Sequence, residues 1–161
     1  MPSRADDVTQ KIMFGDEHWV KLPGGQGSAE ATDEAVYFTL SLRNVGTGMA
    51  VLHGWDVITD RPVGYDERPS IERFRRQLRD LYISPADVGF WQGAFREPGA
   101  PEFGPVRTAV EARSPIMVDL LYGDFEGGQR TISRFLLMPM ESGGRLASVG
   151  RHWNLDREDP R

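Results

Sequence analysis

The stretch Val36-Tyr37-Phe38-Thr39-Leu40-Ser41-Leu42-Arg43-Asn44-Val45-Gly46-Thr47-Gly48-Met49-Ala50-Val51-Leu52 decides the fold class. Val36, Phe38, Leu40 and Leu42 alternate with Tyr37, Thr39, Ser41 and Arg43, the period-two pattern of a half-buried strand. Asn44, Gly46 and Gly48 tolerate the positive φ values of tight turns. The stretch therefore reads as a long hairpin over residues 35–59. Its second strand sets Val51, His53, Trp55 and Val57 against Leu52, Gly54, Asp56 and Ile58. Such a hairpin specifies β architecture and supplies no catalytic group.

Working outward, residues 11–14 and 18–22 read as two short strands around Gly15-Asp16, followed by a loop at 23–28 and an acidic stretch to Glu34. On the C-terminal side, Ile71, Phe74, Leu78 and Leu81 follow at spacings of three, four and three, and Ser70 offers an N-cap. This pattern predicts a short helix that merges into a strand near Leu81-Tyr82-Ile83. Residues 88–95, 106–111, 116–122, 130–138 and 146–153 read as further strands, and 97–105, with three prolines and two glycines, as irregular chain. Many short strands between Gly, Pro and Asn turns predict an all-β, antiparallel, immunoglobulin-like sandwich with one short helix. Residues 10–154 are expected to form one domain, with 1–9 and 155–161 as flexible termini. Crossover helices for a parallel sheet are missing.

Composition narrows the chemistry. A chain of 161 residues with 39% hydrophobic residues can bury a core of its own. There are no cysteines, which excludes disulfides, zinc–thiolate sites and cysteine nucleophiles. The formal charge of −5 disfavours nucleic acid as a partner, because phosphate contacts need a positive surface. No apolar run approaches the ~20 residues that span a bilayer, and residues 1–20 carry no apolar leader core. The expected location is cytoplasmic, with membrane attachment only through a segment outside this chain.

The run Leu40-Ser41-Leu42-Arg43-Asn44-Val45-Gly46-Thr47-Gly48-Met49-Ala50-Val51-Leu52 resembles a signature of immunoglobulin-like bacterial domains of unknown function. Leu121-Tyr122-Gly123-Asp124-Phe125-Glu126-Gly127-Gly128-Gln129-Arg130 resembles the Tyr-x-Asp-x-x-Gly hairpin of the same domains. The blocks Phe74-Arg75-Arg76-Gln77, Asp80-Leu81-Tyr82-Ile83 and Gly89-Phe90-Trp91-Gln92-Gly93 are similar to a narrower subset of them. The resemblance implies a β-sandwich and brings no activity, cofactor or catalytic residue. Its members often follow transmembrane helices, which this chain lacks.

Few residue groupings carry chemistry. His18, His53 and His152 show no metal-ligand spacing, and a metal site would need His53 and His152 to meet Asp119 or Asp124. Asp124 and Glu126 offer two acidic side chains where a calcium loop supplies about six to eight oxygens. Arg73, Arg75, Arg76 and Arg79 form a basic cluster suited to an anion or an acidic partner surface, partly neutralised by Glu72 and Asp80. Trp19, Trp55, Trp91 and Trp153 supply core volume, and an exposed Trp55 or Trp91 would offer a stacking platform to a sugar or other small ligand. No Gly-x-Ser-x-Gly elbow, dinucleotide fingerprint or phosphate loop occurs. The expectation is a non-catalytic binding or assembly module without cofactor, acting on an unidentified protein partner or a second copy of itself. A carbohydrate- or small-ligand-binding module is the alternative, and a metal-assisted hydrolase the third reading.

Overall fold

The computed structural model describes residues 9–13, 19–23, 26–43, 50–59, 69–83, 88–124, 129–141 and 144–155. Among them the chain order is β1 (Thr9–Met13), β2 (Trp19–Pro23), β3 (Gln26–Ala31), β4 (Val36–Arg43) and β5 (Ala50–Ile58). A single 3-10 turn (Ile71–Arg73) precedes β6 (Arg75–Ile83) and β7 (Val88–Phe95). Helix α1 (Phe103–Glu111), β8 (Ile116–Asp124), β9 (Arg130–Pro139) and β10 (Arg145–Asn154) complete it. Every ladder is antiparallel. The protein is thus predominantly antiparallel β, as its alternating pattern requires.

The strands do not form two separately hydrogen-bonded sheets. Eight of them share one sheet in the order β6-β5-β8-β9-β10-β3-β4-β7, and β1-β2 form a separate hairpin packed against β3 and β4. Covalent geometry dictates the shape of the large sheet. Its two edge strands, β6 and β7, are consecutive in sequence and joined by residues 84–87. A link of that length reaches about 17 Å at most, whereas eight strands laid flat measure about 34 Å across. The sheet must therefore curl until its edges approach, giving a half-barrel with its apolar face inside.

That inner face carries Val36, Phe38 and Leu40 of β4, Leu52, Trp55 and Val57 of β5, Trp91 and Phe95 of β7, Ile116, Val118 and Leu120 of β8, and Leu137 of β9. Trp55 meets Trp91 edge-on at 5.3 Å and Phe95 at 5.4 Å, so β5 and β7 touch across the curl although six strand steps separate them in the ladder. Helix α1 packs on β3 and β4 and adds Phe103, Val106, Ala109 and Val110 to the same core.

Several sequence expectations are corrected. Residues 36–43 and 50–58 are strands, yet they do not pair with each other: β4 lies between β3 and β7, and β5 between β6 and β8. Alternation fixes which face of a strand is buried but not its ladder partner, and these two strands bury their apolar faces against one another across the core. The turn residues 44–49 lie outside the described residues. The predicted helix from Ile71 is one 3-10 turn followed by the edge strand β6, because pairing with β5 outweighs the helical spacing. Residues 106–111, read as a strand, belong to α1, where Phe103, Val106 and Val110 share one face and Pro105 sits harmlessly in the first turn. Strand β3 falls where a loop and an acidic stretch were expected. Its Gly27 lies so close to Leu137 and the Thr39 carbonyl that a Cβ would stand 2.6 Å from the leucine.

The helix ends on Arg113, a non-glycine residue at φ 55°, with Ser114 N–H donating to the Ala109 carbonyl at 3.0 Å. The buried Arg145 then donates from Nη1 to the carbonyls of Ser114 (2.7 Å) and Leu137 (3.3 Å), joining the α1–β8 connection to the sheet. Burial, and secondarily the neighbouring Arg113, lower the Arg145 pKa. The carbonyl-rich helix C-terminus is where such a cation is best tolerated.

Closure of the curl depends on Gly93, where a Cβ would stand 2.5 Å from Trp91 Cζ2 and 3.1 Å from Trp55 Cζ2. Gly93→Ala is expected to destabilise the protein by about 1–3 kcal/mol, the usual cost of overpacking. Urea denaturation followed by tryptophan fluorescence measures it, and an unchanged midpoint would show that the two indoles do not lock the edges together.

Candidate functional site at the open edge of β10

Among the described residues β10 carries the most exposed large hydrophobic side chains. On one side it pairs with β9 from Arg145 to Asn154, with a bulge between Val149 and Arg151. On the other it meets β3 only through Arg145 and Leu146. Residues 147–154 thus have no second ladder among the described residues, and Ser148, Val149, Gly150, Arg151 and His152 are exposed. Val149 (53%) and Leu146 (51%) are the most exposed large hydrophobic side chains among the described residues.

Register assigns the two faces of this strand. Ala147 lies opposite Leu137 and Val149 opposite Phe135, so both belong to the inner face, as do His152 opposite Ser133 and Asn154 opposite Thr131. Ser148, Arg151 and Trp153 belong to the outer face.

Each face holds β10 in place by a different chemistry. On the inner face the buried Ser133 Oγ donates to Tyr122 Oη at 2.8 Å and lies 2.6 Å from His152 Nδ1. Tyr122, Ser133 and His152 thus form one chain of hydrogen bonds, each hydroxyl able to donate or accept within it. Thr131 Oγ1 donates to Asn154 Oδ1 at 3.2 Å one pair further on.

On the outer face Arg134 (3% exposed) donates from Nε and Nη2 to the two carboxylate oxygens of Asp119 (0% exposed), both at 2.8 Å. Its guanidinium lies 5.0 Å from the ring of Trp153, and that of Arg151 lies 5.5 Å from the same ring. Trp153 packs with Leu121 and Ile132 in a small outer cluster. Asp56 is the cross-strand neighbour of Asp119. Its Oδ2 is buried without a hydrogen-bond donor and stands 3.7 Å from Arg73 Nε. Burial pushes the Asp56 pKa up, opposed by Arg73 and reinforced by Asp119.

The residues singled out by sequence are dispersed. Arg73 faces Asp56, while Arg75 pairs with Glu102 and lies over the rings of Phe95 (4.4 Å) and Trp55 (5.5 Å). Arg76 is exposed, and the side chain of Arg79 lies outside the described residues, as does that of Asp124. Because the segment is a turn and a strand, neighbouring arginines face opposite ways and the helical basic face does not form. Trp55 and Trp91 are buried in the core. His53 is exposed at the outer face beside Gly123, whereas His152 is on the inner face, so the sheet separates His152 from both His53 and Asp119. Among the described residues no three His, Asp or Glu side chains gather as a metal site, and no helix is long and apolar enough to cross a membrane. Trp19 and His18 lie outside what the structure describes at side-chain level.

Sequence reasoning missed Ser133 and did not place an edge at β10. The signal was present in β10, whose apolar residues Leu146, Val149 and Trp153 do not keep one parity, as a strand with one buried face would.

No family model matches the chain, and no curated protein matches it. Among solved structures, it is similar to a protein from Archaeoglobus fulgidus at 10% identity, with 84% of this chain and 96% of that one covered and a TM-score of 0.29. A likeness at that level carries no argument about fold or function.

Two expectations follow from the outer face. Arg134→Met strands a buried carboxylate and is expected to cost about 3–5 kcal/mol, whereas Asp119→Leu combined with Arg134→Met recovers most of that loss. Chemical denaturation of the single and double variants measures the coupling, and equal losses would dismiss the pair as a stabilising unit. Asp56 has a folded pKa above its ordinary value of 3.8, so the folded state holds that proton more tightly and stability falls as pH rises through the folded value. Asp56→Asn is therefore expected to melt at a higher temperature than the parent protein at pH 7, the difference closing as pH falls toward 3.8. A lower melting temperature at pH 7 would mean that the contact with Arg73 outweighs the desolvation.

Proposed function

We propose that this chain is a non-catalytic binding module that takes up an extended segment of a partner protein by strand addition along β10. The observation that carries the reading is that residues 147–154 have no second ladder among the described residues. An open edge presents a row of backbone donors and acceptors, and an extended peptide that aligns with it gains main-chain hydrogen bonds. Exposed Val149 adds apolar surface to be covered there.

Other readings have less support. Trp55, Trp91 and Trp153 are buried and offer a sugar no stacking platform. The sheet puts His152 on the face opposite His53 and Asp119, which counts against a metal-assisted hydrolase. The proposal includes kinship with immunoglobulin-like domains. In its favour, the curled sheet has two facing halves, β6-β5-β8-β9-β10 and β3-β4-β7, which enclose one core and whose ladder contact among the described residues is the two-residue β10–β3 seam.

Native-state hydrogen exchange tests the open edge. The outward-facing amides, every second one along residues 147–154, are expected to exchange with little protection, while those of β8 and β9 exchange far more slowly. Uniform strong protection along both edges of β10 would mean that another segment covers it and would end the reading.

A further inference from the structure

We infer that the inner face of β9 and β10 binds a small, mainly apolar molecule whose head group is an uncharged hydroxyl. The site is made of side chains on the concave face of the sheet, so it goes beyond strand addition and does not depend on it. Along β9 the inner-face residues grade from polar to apolar through Thr131, Ser133, Phe135 and Leu137. Their partners on β10 follow the same order: Asn154, His152, Val149 and Ala147. Exposure is graded too. Leu137 is fully buried, Phe135 and Ala147 are half-buried, and Val149 and His152 are exposed. Apolar area within reach of solvent therefore lies directly beside a hydrogen-bonding end, the pattern of a site for an amphipathic small molecule.

The bulge on β10 decides which side chain stands at the polar end. Val149 faces inward, so in an unbroken strand the next inward residue would be Arg151. Gly150 has no partner on β9, and this extra residue shifts the alternation by one. Arg151 consequently faces outward beside Trp153, and His152 faces inward onto Ser133. An imidazole thus takes the place a guanidinium would have held. Ser133 Oγ lies 2.6 Å from His152 Nδ1 and 2.8 Å from Tyr122 Oη. The ring is anchored through Nδ1, and its Nε2 edge is the one that meets a ligand.

The chemistry of that end selects the head group. A hydroxyl both donates and accepts, so it matches Nε2 in either tautomer of the imidazole. None of the inner-face residues from Thr131 to Leu137 or from Ala147 to Asn154 is an acid or an arginine. A carboxylate or ammonium would lose hydration there without an opposite charge to pair with. From Ser133 to Leu137 the strand rises about 13 Å, room for a chain of about eight carbons lying along Phe135 and Val149.

The experiment titrates 1-octanol, octanoate and octylammonium into the full chain and follows the methyl resonances of Ala147 and Val149 by NMR. Octanol is expected to shift both saturably below about 1 mM and to bind at least about fivefold more tightly than either charged analogue. His152→Leu is expected to weaken octanol about tenfold, and His152→Gln, which keeps a hydrogen-bonding side chain, by less than about threefold. Val149→Asp, read at Ala147 and checked for an unchanged circular dichroism spectrum, is expected to abolish saturable binding. Leu146→Asp, on the outer face, is expected to leave it intact. Octanoate or octylammonium binding as tightly as octanol would overturn the inference, as would an octanol affinity unchanged in His152→Leu. Absence of saturable shifts at Ala147 and Val149 up to about 1 mM, or shifts confined to other residues, would overturn the site itself.

Discussion

The structure depends on one constraint of chain geometry: the two outermost strands of an eight-stranded sheet are consecutive in sequence. With β6 and β7 tied by residues 84–87, the ladder cannot remain flat, and its apolar inner face closes upon itself. Trp55 and Trp91 occupy the place where the far ends of the ladder meet, and Gly93 leaves the room for their rings. Arg75 seals the same region from the edge, spreading its guanidinium over Phe95 and Trp55 while Glu102 answers its charge. Helix α1 follows that contact directly and fills the remaining interior, so one covalent link, two indoles and one ion pair account for the closure.

Curling a sheet this way concentrates apolar side chains at the closed side and leaves less to bury elsewhere. β10 lies at the middle of the ladder order and meets β3 at Arg145 and Leu146, opposite the first residues of β3. The bulge at Gly150 raises local twist further along the strand. The inner face at this end is polar, built of Tyr122, Ser133, His152, Thr131 and Asn154. Ser133 lies deep enough to need its hydrogen bonds, whereas His152 remains at the surface.

Sequence pattern revealed most strands and little of their arrangement. Residues 88–95, 116–122, 130–138 and 146–153 were legible because alternation, β-branched residues and flanking glycines agree there. β3 was hidden because Gln26-Gly27-Ser28-Ala29-Glu30-Ala31 lacks bulky or β-branched residues. Its conformation is imposed by β4 on one side and by the space only glycine leaves for Leu137. Ile71, Phe74, Leu78 and Leu81 mimic a helical face, and tertiary pairing with β5 overrode that local preference. The pairing of β4 with β7, instead of β5, is a long-range choice that no local period encodes. The site was still less legible: the sheet dispersed the arginines and histidines that stood out in sequence, and the surroundings of β10 are set by long-range pairing.

Past Leu146, where β10 has no second ladder among the described residues, its two faces keep it extended. β10 is held from within by the His152–Ser133–Tyr122 hydrogen bonds and from without by Trp153, wedged beside Leu121 and Ile132 beneath the Arg134 and Arg151 guanidiniums. The buried Asp119–Arg134 pair fixes the outer of these supports, for a bidentate contact restrains the guanidinium plane against which the indole rests. β10 is therefore restrained on both faces at once, and its extended form does not depend on the β10–β3 ladder alone.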